Sequence, residues 1–228
     1  MVLTSGRGLL FLAGIAGMIC AGEPLEAVLA RMDQEAAGFH GLTAEFKRIT
    51  YTAVLQDSSQ ETGKLWIRRN GPRNTLMRID FAEPNPRVLA FDGTRGQIYY
   101  PKIQTVQIYE LGKHRSLVDQ FLLVGFGSSG RQLAGGYTLK AAGEETVAGR
   151  RATRLELTPK SSEVLQYVQK VELWIPADQG CPLQQRFLQA GGDYALITYS
   201  GIQVNPNLPD DRVKLNLPAG VKREYPQK

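Results

Sequence analysis

The chain has 228 residues, 43% hydrophobic and 21% charged, the balance of a folded globular protein of about one domain; it excludes a disordered or multi-spanning chain. Lysine and arginine number 27 against 22 acidic residues, giving a net charge of +5. The basic residues are scattered among strand-like runs with no aromatic-interleaved basic motif, so the excess suits an anionic membrane surface or an acidic partner and argues against nucleic acid.

The first residues read as an export signal. Arg7 is the sole charge before Glu23, and residues 8–19 form an apolar run of signal-peptide length, short for a membrane span. Ala21 and Gly22 are small enough for cleavage after either. Residues 1–22 are therefore read as a signal peptide and residues 23–228 as a single domain. An uncleaved anchor is one alternative. Lipid attachment at Cys20 is another, opposed by the bulk of Ile19 just before it. Cleavage removes Cys20 and Arg7, leaves a charge of +4, and makes Cys181 the lone thiol, so the fold rests on its core and not on a disulfide. Cys181, in Asp178-Gln179-Gly180-Cys181-Pro182, is expected to be a partly buried turn residue.

After Pro24, the residues Leu25, Val28, Leu29, Met32, Ala36 and Phe39 recur at helical spacing and predict an amphipathic first helix. Residues 42–55 read as a long first strand and residues 56–62 as a polar loop. Short strands follow at 65–69, 75–81, 87–91 and 96–100. In the second of these Met77, Ile79 and Phe81 share one face, with Arg78 and Asp80 on the other. Asp92-Gly93 suits a tight hairpin, Pro101 stops the fourth strand, and a further strand covers 104–111.

The period then changes. Residues 113–126 carry Leu117, Val118, Phe121, Leu122 and Val124 at helical spacing, with Asp119 the only charge after Arg115; such a helix is buried on more than one side. Glycine and serine in 125–136 supply hinges around a short second helix. Strand signals resume at 137–142, 151–159, 166–176, 183–189 and 194–204, with turns at 143–149, 160–163, 177–180 and 191–193. The tail from residue 205 ends in a short edge strand. Ten or eleven strands, paired mostly with their neighbours in sequence and interrupted by one helical insert, predict a mainly β (α+β) fold built on one strongly curved antiparallel sheet.

Catalytic groups are scarce. His40 and His114 are the only histidines and read as surface or boundary residues; Glu144-Glu145 and Asp210-Asp211 read as solvated loop pairs. There is no His-x-x-x-His and no cysteine cluster for a metal. Gly125-Phe126-Gly127-Ser128 follows a helix and so lacks the strand–turn–helix setting of a nucleophile elbow. The expectation is a protein that is not an enzyme, with no catalytic residue, metal or cofactor.

The run Gly63-x-Leu65-Trp66-Ile67-x-Arg69, followed by a strand, a proline-containing loop, Asp92-Gly93 and Ile98-Tyr99-Tyr100-Pro101, resembles the LolA family of periplasmic carriers for outer-membrane lipoproteins. The order of elements is similar from about residue 25 to 225. The resemblance implies an incomplete β-barrel covered by a helical lid, a monomer in the periplasm. Such a carrier takes acylated lipoproteins from an inner-membrane ABC-type release complex and hands them to an outer-membrane acceptor.

It also implies a lid latch at Arg69, which strand alternation places on the face of Leu65 and Ile67; the plainer reading is an exposed charge at a strand end beside Arg68. Asn70-Gly71 stands where the family usually has a proline. The expected acyl cavity is formed by Leu65, Ile67, Met77, Ile79, Phe81, Leu89, Phe91, Phe121, Leu122 and Val124, against the alternative of an ordinary closed core. Two further readings stay open: a carrier or sensor of another envelope lipid, and a β-rich interaction module.

Overall fold

A computed structural model describes residues 22–69, 71, 75–82, 84–112 and 123–226. Residues 1–21 of the expected signal peptide, with Cys20, and His114, Phe121, Leu122 and most of the expected lid helix lie outside the described residues.

The first helix, α1 (Leu25–Ala37), begins after Pro24, whose carbonyl accepts from the backbone N–H groups of Ala27 and Val28. Val28 and Met32, one turn apart, are fully buried, as the apolar periodicity requires. Three short helices follow among the described residues: α2 (Gly130–Gly136), α3 (Ser162–Leu165) and α4 (Asp210–Val213). A capping box between Ser129 and Gln132 starts α2.

The strands are β1 (Gly41–Thr52), β2 (Asp57–Arg69), β3 (Thr75–Phe81), β4 (Arg87–Phe91), β5 (Arg95–Tyr100), β6 (Thr105–Glu110), β7 (Tyr137–Val147), β8 (Arg150–Pro159), β9 (Lys170–Pro176), β10 (Gln184–Leu188), β11 (Tyr194–Val204) and β12 (Lys222–Glu224). All twelve form one sheet, in the order β12-β6-β5-β4-β3-β2-β1-β11-β10-β9-β8-β7. Its outer strands, β12 and β7, do not pair, so the sheet is an incomplete barrel. Two antiparallel meanders, β1–β6 and β7–β11, are welded by the pairing of β1 with β11, a join between distant segments that local reading does not provide. The edge strand β12 runs parallel to β6.

Several boundaries differ from the sequence expectation. Residues 57–62, expected as a loop, continue β2: Asp57 pairs with Thr52 and Thr62 with Lys47, and the turn tightens to residues 53–56 with Gln56 at φ +50°. This extension is polar because most of it is exposed. Likewise β7 runs on to Val147 through a bulge between Ala141 and Glu144, so Glu144 and Glu145 are strand residues. Glu144 pairs with Arg151, and Glu145 accepts from the Trp174 indole. Asp210 opens α4 and pairs with Arg68, so it is no free loop charge. β9 starts only at Lys170, because Ser161 caps α3 ahead of it.

Cys181 is fully buried rather than partly so. Its loop is pressed under α1, where Glu35 accepts from both the Cys181 thiol and the Gly180 N–H, the latter at 2.7 Å. Burial and the Glu35 carboxylate push the thiol far above its ordinary range, so it stays protonated and unreactive.

The core has two main parts. One joins Phe46, Leu65, Ile67, Met77, Phe81 and Phe91 to Phe39, Phe126, Cys181 and Tyr199. The other packs Val28 and Met32 of α1 with Val124 and Leu133 against Leu155, Leu157 and Leu173. No helix among the described residues is long and apolar enough to cross a membrane.

Candidate functional site

Register sets the inner face of the first meander. Ile67 pairs with Met77 and Met77 with Phe91; Leu65 pairs with Ile79 and Ile79 with Leu89. These six side chains therefore project to one side of β2, β3 and β4. Gly63 belongs to the same row, and its lack of a side chain has a use: a Cβ there would lie 2.6 Å from the Phe46 ring. The ring lies across the strand at that point and meets Phe81 edge-on at 5.3 Å.

The inner face is not filled. A cavity of about 340 Å³ is lined by Phe46, Leu65, Met77, Ile79, Phe81 and Leu89 on one side and by Phe126, Val168, Phe187, Ile197 and Tyr199 on the other. A second hollow of about 200 Å³ shares Met77, Ile79 and Leu89 and continues along Phe91, Ile98 and Leu111. Of the expected cavity residues, Leu65, Met77, Ile79, Phe81 and Leu89 line the larger space and Phe91 the smaller. Ile67 is fully buried and does not line either. Val124 belongs to the second core cluster.

Among the described residues, the segment 123–129 covers one side of the larger cavity through Phe126. Phe126 contacts Tyr199 edge-on at 5.0 Å. Beneath it Tyr199 donates to Gln185 Oε1 at 2.8 Å, and Gln185 Nε2 donates to the Val124 carbonyl at 2.5 Å. A buried amide is thereby satisfied on both sides, and burial raises the Tyr199 phenol above its usual range. Sequence reading missed Phe46, Phe126, Gln185 and Tyr199. Phe46 was legible from β1 alternation with Leu42 and Ala44; Gln185, in a Gln-Gln pair, had no signal.

Arg69 reaches the same cover. Its Nη1 donates to the Gly127 carbonyl at 3.0 Å, and its guanidinium carbon lies 5.2 Å from the centre of the Phe39 ring. Gly127 has φ +62°, and a Cβ on it would stand 2.3 Å from Phe39 Cδ1. Phe39 thus packs against both partners of the bond. The side chain is not the exposed strand-end charge of the plainer reading. Arg68 points to the other face, to Leu208 O and Asp210.

Of the two histidines, His40 is exposed. Among the described residues no group of three His, Cys, Asp or Glu side chains is arranged to hold a metal.

The family model for the outer membrane lipoprotein carrier protein LolA matches residues 37–216, a span that includes β1 to β11 and the cover. This chain belongs to the LolA family. A relative from Dechloromonas aromatica (strain RCB), an outer-membrane lipoprotein carrier protein, is 28% identical over 180 residues, 78% of each chain. Among solved structures, a conserved protein from Thermus thermophilus superposes with a TM-score of 0.56 at 14% identity, over 88% of this chain and 98% of that one. MucB superposes with a TM-score of 0.51 at 21% identity over 84% of this chain, which spans 62% of MucB's length. Both structural likenesses are likenesses of fold.

Proposed function

We propose that this LolA-family chain is a periplasmic carrier that encloses the acyl chains of lipoproteins on the inner face of its open sheet. It shuttles them from an inner-membrane ABC-type release complex to an outer-membrane acceptor, by reversible binding and without a catalytic step. One observation carries the reading: an unfilled apolar cavity lies beside a short segment whose Gly127 carbonyl accepts a hydrogen bond from Arg69.

The energetics fit. Each methylene kept from water is worth about 0.8 kcal/mol, so three long chains left exposed cost on the order of 30 kcal/mol. A soluble carrier must hide them. The present cavity is at the small end of the ~300–1,000 Å³ typical of small-ligand pockets, so loading requires the cover to lift. Lifting breaks the hydrogen bond from Arg69 to Gly127 O, worth about 1.5–3 kcal/mol for a charged donor. That is small beside the acyl burial that drives loading, yet enough to bias return to the closed form once an acceptor takes the cargo.

The test is mass spectrometry of the protein purified from envelope extracts, paired with titration of the lipid-free protein with a triacylated lipopeptide. Copurified acylated cargo and saturable binding are expected. A protein that emerges lipid-free and has no affinity for the lipopeptide overturns the reading.

A further inference from the structure

The inner face of β2 carries Arg69 at one end and Glu61 eight residues away at the other, about 26 Å apart at the usual rise of a strand. Glu61 sits opposite Arg48 of β1 in the ladder. Arg87, which opens β4, reaches the same carboxylate. Two guanidinium groups therefore meet one carboxylate at the end of the apolar face remote from the latch.

The carboxylate is not shared equally. Arg87 gives Glu61 two hydrogen bonds, at 2.6 and 3.0 Å, a third to Asn85 O at 3.0 Å, and stacks over the Phe81 ring at 3.8 Å. This two-point pairing holds the Glu61 carboxyl below the ordinary carboxylate range. Arg48 comes no closer than 3.9 Å to Glu61, beyond hydrogen-bond distance. Its side chain is 32% exposed, but its Nε is buried with no hydrogen-bond partner among the described residues, and the side chain lines the larger cavity beside Phe46 and Ile197. The group of three carries one positive charge in excess, and that charge is at the cavity wall.

A buried N–H without an acceptor is costly, and a guanidinium pairs best with a planar or tetrahedral oxyanion. We infer that Arg48 forms an anion subsite, which takes the carboxylate or phosphate head of an acyl-chain ligand whose tail lies along Leu65, Ile79 and Leu89. The inference rests on the carrier reading and deepens it: among acyl-chain cargos, one that carries an anionic group beside its chains is held more tightly, by its head as well as its tail. Ester and amide carbonyls of a neutral head offer Arg48 a weaker acceptor.

The experiment compares matched pairs below their aggregation concentration at pH 8: palmitate with methyl palmitate, and 1-palmitoyl lysophosphatidic acid with monopalmitoylglycerol. Each displaces a neutral fluorescent acyl probe. The anionic member of each pair is expected to bind at least about tenfold more tightly. Arg48→Gln brings both ratios close to one, while Lys47→Gln, which removes the same charge from the exposed neighbouring position, keeps them. Equal affinities in the unmodified protein overturn the inference, as does selectivity that survives Arg48→Gln. Inorganic phosphate that displaces the probe in an Arg48-dependent way assigns the site to a free anion and overturns the lipid-head reading. Binding of all four amphiphiles without selectivity, or of none, sinks the subsite and leaves the carrier standing; the carrier falls only when the triacylated lipopeptide also fails to bind.

Discussion

Arg69 and Gly127, 58 residues apart in the chain, are joined by a hydrogen bond of 3.0 Å from guanidinium to backbone carbonyl, and Phe39 packs against both. The bond ties the end of a strand to the cover of the cavity. Being a side chain to carbonyl contact, it opens without disturbing any ladder of the sheet.

Replacing Arg69 with leucine removes the donor and its stacking on Phe39. The open form then gains about 1.5 kcal/mol relative to the closed one, the low end of the range for a charged hydrogen bond because the site is part-buried. Cargo release to an acceptor is expected to slow roughly tenfold, the rate equivalent of that energy. Measured dissociation of a fluorescent acyl ligand checks this; release at the unmodified rate refutes the latch.

Gly127→Ala attacks the same bond from the other side. The residue is left-handed, and a Cβ 2.3 Å from the Phe39 ring forces either the ring or the loop to move. Overpacking of this kind costs about 1–3 kcal/mol, or a few degrees of Tm in a domain of this size. Calorimetry is expected to show that loss, and the variant is expected to retain ligand as Arg69→Leu does. A variant with normal release despite a lower Tm separates packing from latching.

Ile79→Trp tests the cavity directly. Ile79 lines both hollows and is only partly buried, so the larger side chain enters empty space instead of displacing neighbours. Acyl-ligand affinity is expected to fall at least tenfold while Tm changes by no more than about 3 °C. If affinity is unchanged and Tm collapses, the face is a closed core and not a binding surface.

The sequence made the inner face legible where one side of a strand is apolar, as at Met77, Ile79 and Phe81, because a period of two has no other reading. It failed where strands leave the core. Residues 57–62 and Glu144-Glu145 are polar on both faces yet fully paired, so composition described a loop where the ladder continues. Cys181 failed for a different reason. Gly180 and Pro182 announce a turn, but only tertiary packing tells that α1 lies on it, so close that a Cβ on Gly180 would sit 3.0 Å from the Met32 backbone. Arg48 was hidden in plain alternation: it follows Leu42, Ala44 and Phe46 on the inner face, where a charge reads by default as solvated.

Two ion pairs give the fold a predictable response to acid. Hydrogen bonding from Arg87 lowers the pKa of Glu61, and hydrogen bonding from Arg31, with Thr153 assisting, lowers that of Glu23, which fastens the start of α1 to β8. In the unfolded chain both carboxyls take up protons near pH ~4.3, while in the folded protein they resist until lower pH. The stability they add is therefore complete above about pH 5 and is lost as the pH falls through the folded-state values. At pH 7, Glu61→Gln is expected to cost about 1–2 kcal/mol, since the pair is only part-buried. The penalty is expected to shrink as acidification passes below the ordinary carboxylate range, so that thermal melts of the two proteins converge in acid. A penalty that stays constant as the pH falls assigns the loss to packing against Arg87 and not to the charge on Glu61.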